Sequence, residues 1–116
     1  MPITERFEGV VFHGCDGSFQ ASDIDPDRGI YFSGDAAYAS DYGPLVFECN
    51  VLLERACGYS EEEANGAMEI DRPTLIAQGY DGRIVRYENG DIDVIAFESD
   101  QISIVAMLPP MLKARR

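Results

Sequence analysis

The strongest local constraint on this sequence is the pair Asn89-Gly90, which lies between two runs rich in β-branched and aromatic residues. The two runs are residues 83–87 and 92–97. Asn-Gly is a preferred pair for tight hairpin turns, because both residues tolerate positive φ angles. The sequence therefore predicts two antiparallel strands joined through residues 88–91.

Further β-rich runs, each bounded by turn residues, extend this pattern along the chain. Valine, isoleucine, phenylalanine and tyrosine are concentrated in them, as is typical of strands. The segment 15–28 carries Gly, Ser, Pro and four Asp, which predicts a loop. The predicted strands, besides the hairpin, are 8–14 (ending at His13-Gly14), 29–33, 45–53 and 101–108.

Short helices are predicted between the strands, each opened by a residue that caps helix N-termini. One begins at Asp35 and extends to about Tyr42, one follows Ser60 as a short acidic turn, and one begins at Asp71 and ends at Gly79. Strands dominate, so the sequence predicts an α+β class. With 116 residues, the chain is expected to form a single domain over residues 1–116.

Composition excludes two classes of protein. Hydrophobic residues make up 46% of the chain, which is too many for a disordered sequence. No apolar run approaches the roughly 20 residues that cross a bilayer. The N-terminus lacks a basic region followed by an apolar stretch, so no secretory signal is expected.

The charge balance is strongly acidic. Nine Lys and Arg stand against 21 Asp and Glu, a net charge of −12. Three of the nine basic residues lie in the last four positions, which leaves the rest of the chain with six basic against 21 acidic residues. Such a surface repels phosphate backbones and anionic membranes and argues against direct nucleic-acid binding. It suits a basic partner, mimicry of DNA, or simply solubility.

The three cysteines, Cys15, Cys49 and Cys57, form no CxxC pair. With a single histidine, the chain offers no zinc-ligand set, and no metal site is expected. Free cysteines are typical of a reducing compartment, so a cytoplasmic location is expected, in the producing or a target cell.

Three segments carry the chemistry. The first is Phe12-His13-Gly14-Cys15, and the second is GIYFSGDAAYASDYG over residues 29–43. The third is DVIAFE over 93–98, after the turn Gly79-Tyr80-Asp81-Gly82. In this order they resemble the ADP-ribosyltransferase superfamily, specifically the diphtheria-toxin and poly-ADP-ribose-polymerase branch with its His–Tyr–Glu signature. The resemblance covers residues 9 to 105. Within the superfamily, the chain is similar to small bacterial or phage members.

The resemblance implies a fold and a set of site residues. The fold would be a split pair of small, mostly antiparallel sheets with two or three short helices and an NAD cleft between the sheets. NAD would be the substrate, and release of nicotinamide passes through an oxocarbenium-like transition state. The implied catalytic residues are His13, Tyr31 and Asp93, and the implied NAD-binding residues are His13, Gly14, Cys15, Tyr31, Phe32 and Tyr42.

Each implied role follows the chemistry of the residue type. The backbone at Gly14 would bind the carboxamide, and Tyr31 and Tyr42 would sandwich the nicotinamide ring. His13 would hydrogen-bond a ribose hydroxyl. Asp93 would bind the 2′-hydroxyl of the nicotinamide ribose and stabilise the developing cation.

The implied activity is mono-ADP-ribosyl transfer to a protein or other macromolecule, or NAD hydrolysis, as in an effector or toxin. Three positions differ from the family pattern: Cys15 where Thr or Ser is usual, Ala37 where some members have Ser, and Asp93 for Glu. These differences favour an alternative, an inactive acidic binding module on the same fold. A third hypothesis is a related enzyme that removes a 2′-phosphate from RNA, which would need basic residues to bind phosphates.

Overall fold

The computed structural model describes residues 3–17, 29–66 and 72–108. The described strands are β1 (Ile3–Cys15), β2 (Ile30–Ser33), β3 (Leu45–Ser60), β4 (Gly82–Arg86), β5 (Ile92–Ala96) and β6 (Ile102–Met107). The described helices are α1 (Ala36–Ala39), α2 (Glu61–Gly66) and α3 (Arg72–Ala77), with 3₁₀ turns at Ser40–Tyr42 and Ser99–Gln101. The predicted α+β class, dominated by strands with few short helices, is confirmed.

Hydrogen bonds join the described strands in one mixed sheet, in the order β1-β2-β5-β4-β3-β6, and β1 also pairs with β3. Only β3 and β4 run parallel among these pairings. β3 pairs with β1 along one edge, and with β6 and then β4 along the other. The pairing of β1 with β2 has a single register pair, Phe12 with Ser33. Because the β3–β4 and β1–β2 pairings connect all strands, the expected division into two sheets with a cleft between them is not confirmed.

Both faces of the sheet carry an apolar cluster, because side chains alternate between the faces along each strand. We call the face that carries Phe32 and Val94 the inner face, and the face that carries Ile95 and Phe97 the outer face. The inner cluster also includes Val11, Cys49, Val51, Leu53, Ile84 and Ile102. The outer cluster is formed by Cys57, Tyr59, Val85 and Phe97 with Leu75 of α3.

The longest strand exceeds its prediction. A strand was expected over 45–53, followed by a polar stretch, but β3 continues to Ser60. Glu54 and Arg55 are exposed, yet the Asp81 carboxylate accepts hydrogen bonds from both of their backbone N–H groups, at 2.8 and 3.0 Å. Tertiary pairing with β1 and β4 therefore maintains a strand where the local sequence is polar. β1 is likewise longer than the predicted 8–14, since it begins at Ile3 and pairs with the end of β3.

The short helices follow the predicted caps. The Asp35 side chain accepts a hydrogen bond from the Ala37 N–H at 2.9 Å and so caps α1, which tightens into the 3₁₀ turn ending at Tyr42. Ser60 and Glu63 cap α2 through reciprocal side-chain to backbone hydrogen bonds. Gly79, with φ of 91°, follows α3 as predicted. Asp71 and most of the predicted 15–28 loop lie outside the described residues.

The predicted hairpin is present. β4 and β5 are antiparallel, with Val85 opposite Asp93. The turn closes through a hydrogen bond from the Gly90 N–H to the Tyr87 carbonyl at 3.0 Å, and Gly90 has a φ of 97°. None of the helices in the described ranges has the length and apolar character needed to cross a bilayer.

Candidate functional site

The Asp93 carboxylate lies between two tyrosine hydroxyls. The Tyr31 hydroxyl donates to Asp93 Oδ1 at 2.7 Å, and the Tyr87 hydroxyl donates to Oδ2. The register of β2 and β5 explains the first contact, because Ser33 is directly opposite Asp93 and Tyr31 is two residues further along on the same outer face. Asp93 thus remains half-buried and is oriented by neutral donors.

Tyr87 was not among the residues predicted from the sequence. Its backbone N–H donates to the Asp91 carbonyl at 2.9 Å, which continues the β4–β5 register past Arg86 and Ile92. Tyr87 is therefore a diagonal neighbour of Asp93 on the same face. The hairpin signal at Asn89-Gly90, combined with the alternation of side chains along a strand, could have identified it.

Two further tyrosines extend the cluster toward solvent. The ring of Tyr42 lies 5.2 Å from that of Tyr31, and the ring of Tyr38 lies 5.8 Å from that of Tyr42. The Tyr38 and Tyr42 hydroxyl oxygens are 3.4 Å apart. Both rings are about half exposed, at 45% for Tyr38 and 52% for Tyr42. We call Tyr31, Tyr38, Tyr42, Tyr87 and Asp93 the tyrosine cluster.

Tyr31 and Tyr42 contact each other directly. A ring inserted between two others separates them by about 7 Å, twice the optimal carbon–carbon contact distance of roughly 3.5 Å. The observed 5.2 Å leaves no gap of that size. Stacking of a ligand ring between these two tyrosines therefore requires the half-exposed Tyr42 side chain to move outward.

His13 joins this region through the backbone of Tyr31. Its Nδ1 lies 2.8 Å from the Tyr31 carbonyl oxygen, so Nδ1 carries the proton in that hydrogen bond. The imidazole packs edge-on against Phe32, with ring centroids 5.8 Å apart, on the inner side of β2. The structure thus brings His13 next to the backbone of Tyr31.

The remaining predicted site residues, Phe32, Cys15 and Gly14, make packing contacts or hydrogen bonds within the protein itself. Phe32 is completely buried in the inner cluster, so its side chain is not available to a ligand. The Cys15 thiol donates to the Gly17 carbonyl at 3.0 Å. Gly14 lies against α1, where an added Cβ would be 1.8 Å from the Ala39 carbonyl oxygen. Close packing of β1 on α1 therefore requires glycine at position 14, independently of any ligand.

Burial and the adjacent Asp93 carboxylate raise the pKa values of Tyr31 and Tyr87 well above the ordinary 10.0. Burial contributes most, and the hydrogen bond to Asp93 adds to it, because ionising the phenol would place a second negative charge beside the carboxylate. Both phenols therefore remain donors at neutral pH.

We expect stability to fall in alkaline solution through these two groups. Their pKa values are higher in the folded than in the unfolded chain, so the stability they contribute is fully present below pH 10 and is lost as the pH rises toward the folded pKa values. Thermal unfolding from about pH 8 to about pH 11 measures this loss. Tyr31→Phe and Tyr87→Phe should each make the decrease in Tm shallower, and an unchanged slope in both variants would contradict the assignment.

The tyrosine cluster combines a carboxylate with electron-rich ring faces. Such faces attract cations, and a nearby negative charge strengthens the attraction. Asp93 has no Arg or Lys partner within the described ranges, so its negative charge is not neutralised there and is stabilised by the two tyrosine hydroxyls. The arrangement suits a cationic aromatic or quaternary group. The described side chains include no group of three or more His, Cys, Asp or Glu that could hold a metal ion.

One curated protein is similar to most of this chain. Glucose-1-phosphate adenylyltransferase 2 of Alkalilimnicola ehrlichii is 30% identical over 104 residues, an alignment that covers 80% of this chain. The chain spans only 23% of the length of that relative. No family model matches the chain, and no solved structure matches it significantly. The similarity therefore relates this chain to one segment of a larger protein.

Proposed function

We propose that this protein consumes NAD, either transferring ADP-ribose to a macromolecular acceptor or hydrolysing NAD, with release of nicotinamide. The observation that carries the proposal is the Asp93 carboxylate held by Tyr31 and Tyr87 beside the exposed ring of Tyr42. A pyridinium ring is a cationic aromatic group, which is what a cluster of tyrosine faces around a carboxylate attracts.

The reaction breaks the bond between the ribose anomeric carbon and the nicotinamide nitrogen. The bonding electron pair leaves with nicotinamide, and positive charge develops on the ribose, as in glycoside cleavage. A fixed carboxylate such as Asp93 stabilises that charge without reorganisation. Water or an acceptor nucleophile then bonds to the anomeric carbon and loses a proton.

The strand pairings also support the implied NAD cleft. β1, β3 and β6 form one antiparallel group, and β2, β5 and β4 form another. β3 reaches β4 only through its last five residues, and β1 reaches β2 through one pair. His13 lies in the first group and Tyr31 and Asp93 in the second, so a cleft between the groups would be flanked by both, with the His13 ring on the inner side of β2 and the Asp93 carboxylate on the outer face. A cytoplasmic location and a protein acceptor are part of the same proposal.

Nicotinamide release from NAD, measured by chromatography with and without cell lysate, tests the proposal. We expect release by the wild type and a decrease of about tenfold or more in His13→Ala, because a hydrogen bond to a ribose hydroxyl is lost. Dependence on lysate would identify a required acceptor. Parallel incubation of an adenylyl donor with glucose 1-phosphate tests the activity named for the relative. Absence of both nicotinamide release and NAD binding would overturn the proposal.

A second candidate is an acidic binding module without catalysis. The contact between Tyr31 and Tyr42, which leaves no gap for a ring, and the net charge of −12 favour it. Such a module would bind a basic partner with an affinity that falls steeply with salt, because exposed charges are screened. An NAD-consuming enzyme would bind NAD in the absence of any protein partner.

A further inference from the structure

Arg83 of β4 is half-buried, yet it has no counter-charge within the described part of the chain. Of the five arginines there, three are paired with carboxylates: Arg6 with Glu8 and Glu54, Arg72 with Glu98, and Arg86 with Glu5. In a chain with 21 acidic residues, an unpaired arginine in a partly buried position is unexpected. Its Nε atom is fully buried without an acceptor. Burying a donor of a charged group without an acceptor opposes folding.

Tyr59 of β3 presents a second unsatisfied group at the same place. The Arg83 guanidinium lies over the Tyr59 ring, 4.9 Å from its centroid. Tyr59 is only 5% exposed, and its hydroxyl is buried with no oxygen or nitrogen partner among the described residues, while the Cys57 thiol lies beside it. Burial, which has the largest effect, raises the pKa of Tyr59 to about 12, so the hydroxyl is protonated and can donate at neutral pH.

A second guanidinium lies on the same cluster. Arg55 lies over the Tyr80 ring, 5.2 Å from its centroid, and Tyr80 packs against the outer cluster that contains Tyr59. The Thr4 hydroxyl donates to the Tyr80 hydroxyl at 3.4 Å. Within the described ranges, the Arg55 side chain also has no carboxylate partner.

We propose that Arg83 and Tyr59 form a binding site for a phosphate-class oxyanion, with Arg55 as a second cation at its edge. Stacking on the Tyr59 ring holds the planar Arg83 guanidinium in one orientation, so that its N–H groups face an oxyanion in a fixed geometry. A phosphoryl group offers several oxygens to donors from different directions, whereas a carboxylate offers two. The buried Nε and the Tyr59 hydroxyl would then both acquire acceptors, which requires the side chains that cover these two atoms to move aside.

The oxyanion has two sources that this chemistry allows. Arg83 is opposite Ile95, and Ile95 is opposite Tyr31, so Arg83 and Tyr31 lie in one row across three strands, about 10 Å apart. If the proposed function holds, the diphosphate of NAD is the ligand, with its nicotinamide at the tyrosine cluster. A separate phosphorylated molecule is the other source. The Arg83–Tyr59 geometry itself does not depend on NAD.

Calorimetric titration with inorganic pyrophosphate and with ADP, at constant ionic strength, tests the site. We expect Arg83→Gln to weaken binding about tenfold or more, because charge-assisted hydrogen bonds are lost. Tyr59→Phe, which removes one donor, should weaken it about threefold or more. Arg6→Gln is the matched control, since it removes the same charge from an exposed ion pair and should leave affinity within about twofold. Acetate should bind far more weakly than pyrophosphate.

The outcomes separate this site from the proposed function. Absence of pyrophosphate and ADP binding to the wild type at about 10 mM would overturn the site, whether or not nicotinamide is released. Equal affinities in Arg83→Gln and Arg6→Gln would also overturn it. If Arg83→Gln does not fold, Arg83→Lys is the alternative. It retains the positive charge but lacks the planar guanidinium with its paired N–H donors, and it should still weaken binding. Arg83-dependent binding supports the site even where no nicotinamide appears, and competition with NAD identifies the diphosphate as the source.

Discussion

Asp93→Asn is expected to reduce nicotinamide release about a hundredfold or more while the protein stays folded. The amide has nearly the shape of the carboxylate and still accepts a hydrogen bond from Tyr31 or Tyr87, but it carries no negative charge to stabilise a ribosyl cation. Initial rates of nicotinamide release, with Tm measured on the same samples, separate the two effects.

Asp91→Asn provides the matched control for this prediction. Asp91 is exposed in the hairpin turn, two residues before Asp93, and its backbone N–H donates to the Asn89 side chain at 2.9 Å. The substitution removes the same charge from the same hairpin outside the tyrosine cluster. Equal rates in the wild type and Asp93→Asn would rule out Asp93 as the carboxylate that stabilises the ribosyl cation. Equal losses in Asp91→Asn and Asp93→Asn would attribute the effect to net charge.

Gly14→Ala is expected to destabilise the fold by about 3 kcal/mol, a large part of the roughly 5–15 kcal/mol of a typical domain. The added Cβ would lie 1.8 Å from the Ala39 carbonyl oxygen and 2.8 Å from its carbonyl carbon. Both atoms belong to the backbone, and Ala39 is buried, so neither can move without displacing α1 from β1. Thermal unfolding should show a decrease in Tm of roughly 10 °C.

Gly17→Ala is the control for this substitution. No atom lies within 4 Å of a Cβ added at Gly17, so its stability should change by less than about 0.5 kcal/mol. The pair also tests why position 14 is glycine. If Gly14→Ala retains the stability of the wild type and loses only nicotinamide release, then approach of the carboxamide, and not packing on Ala39, requires glycine there.

Much of the local structure could be predicted because it depends on neighbouring residues. Asn89-Gly90 forms the hairpin turn, Asp35 caps α1, and Ser60 caps α2, each through contacts within a few residues. The second half of β3 could not be predicted. Its strand conformation depends on Asp81, which is 26 residues from Arg55 along the chain, and on pairing with β1 and β4.

In the candidate site, too, some residues could be predicted from the sequence and others could not. Tyr31 and Asp93 were expected together from their motifs, whereas Tyr87, which donates to the same carboxylate, was not. Phe32 was expected near NAD because it adjoins Tyr31 in the motif, but adjacent residues in a strand point to opposite faces. Its side chain is therefore part of the inner cluster.

The sequence by itself determined the α+β class, the hairpin, the helix caps and the acidic charge, because each depends on residue composition or on contacts between near neighbours. Only the tertiary structure decided that Tyr31 and Asp93, 62 residues apart, share a hydrogen bond, and that Tyr42 lies against Tyr31. It also decided that Arg83 stacks on Tyr59 and has no carboxylate partner among the described residues. These contacts depend on strand register and on the packing of α1 against β1, which many distant residues set together.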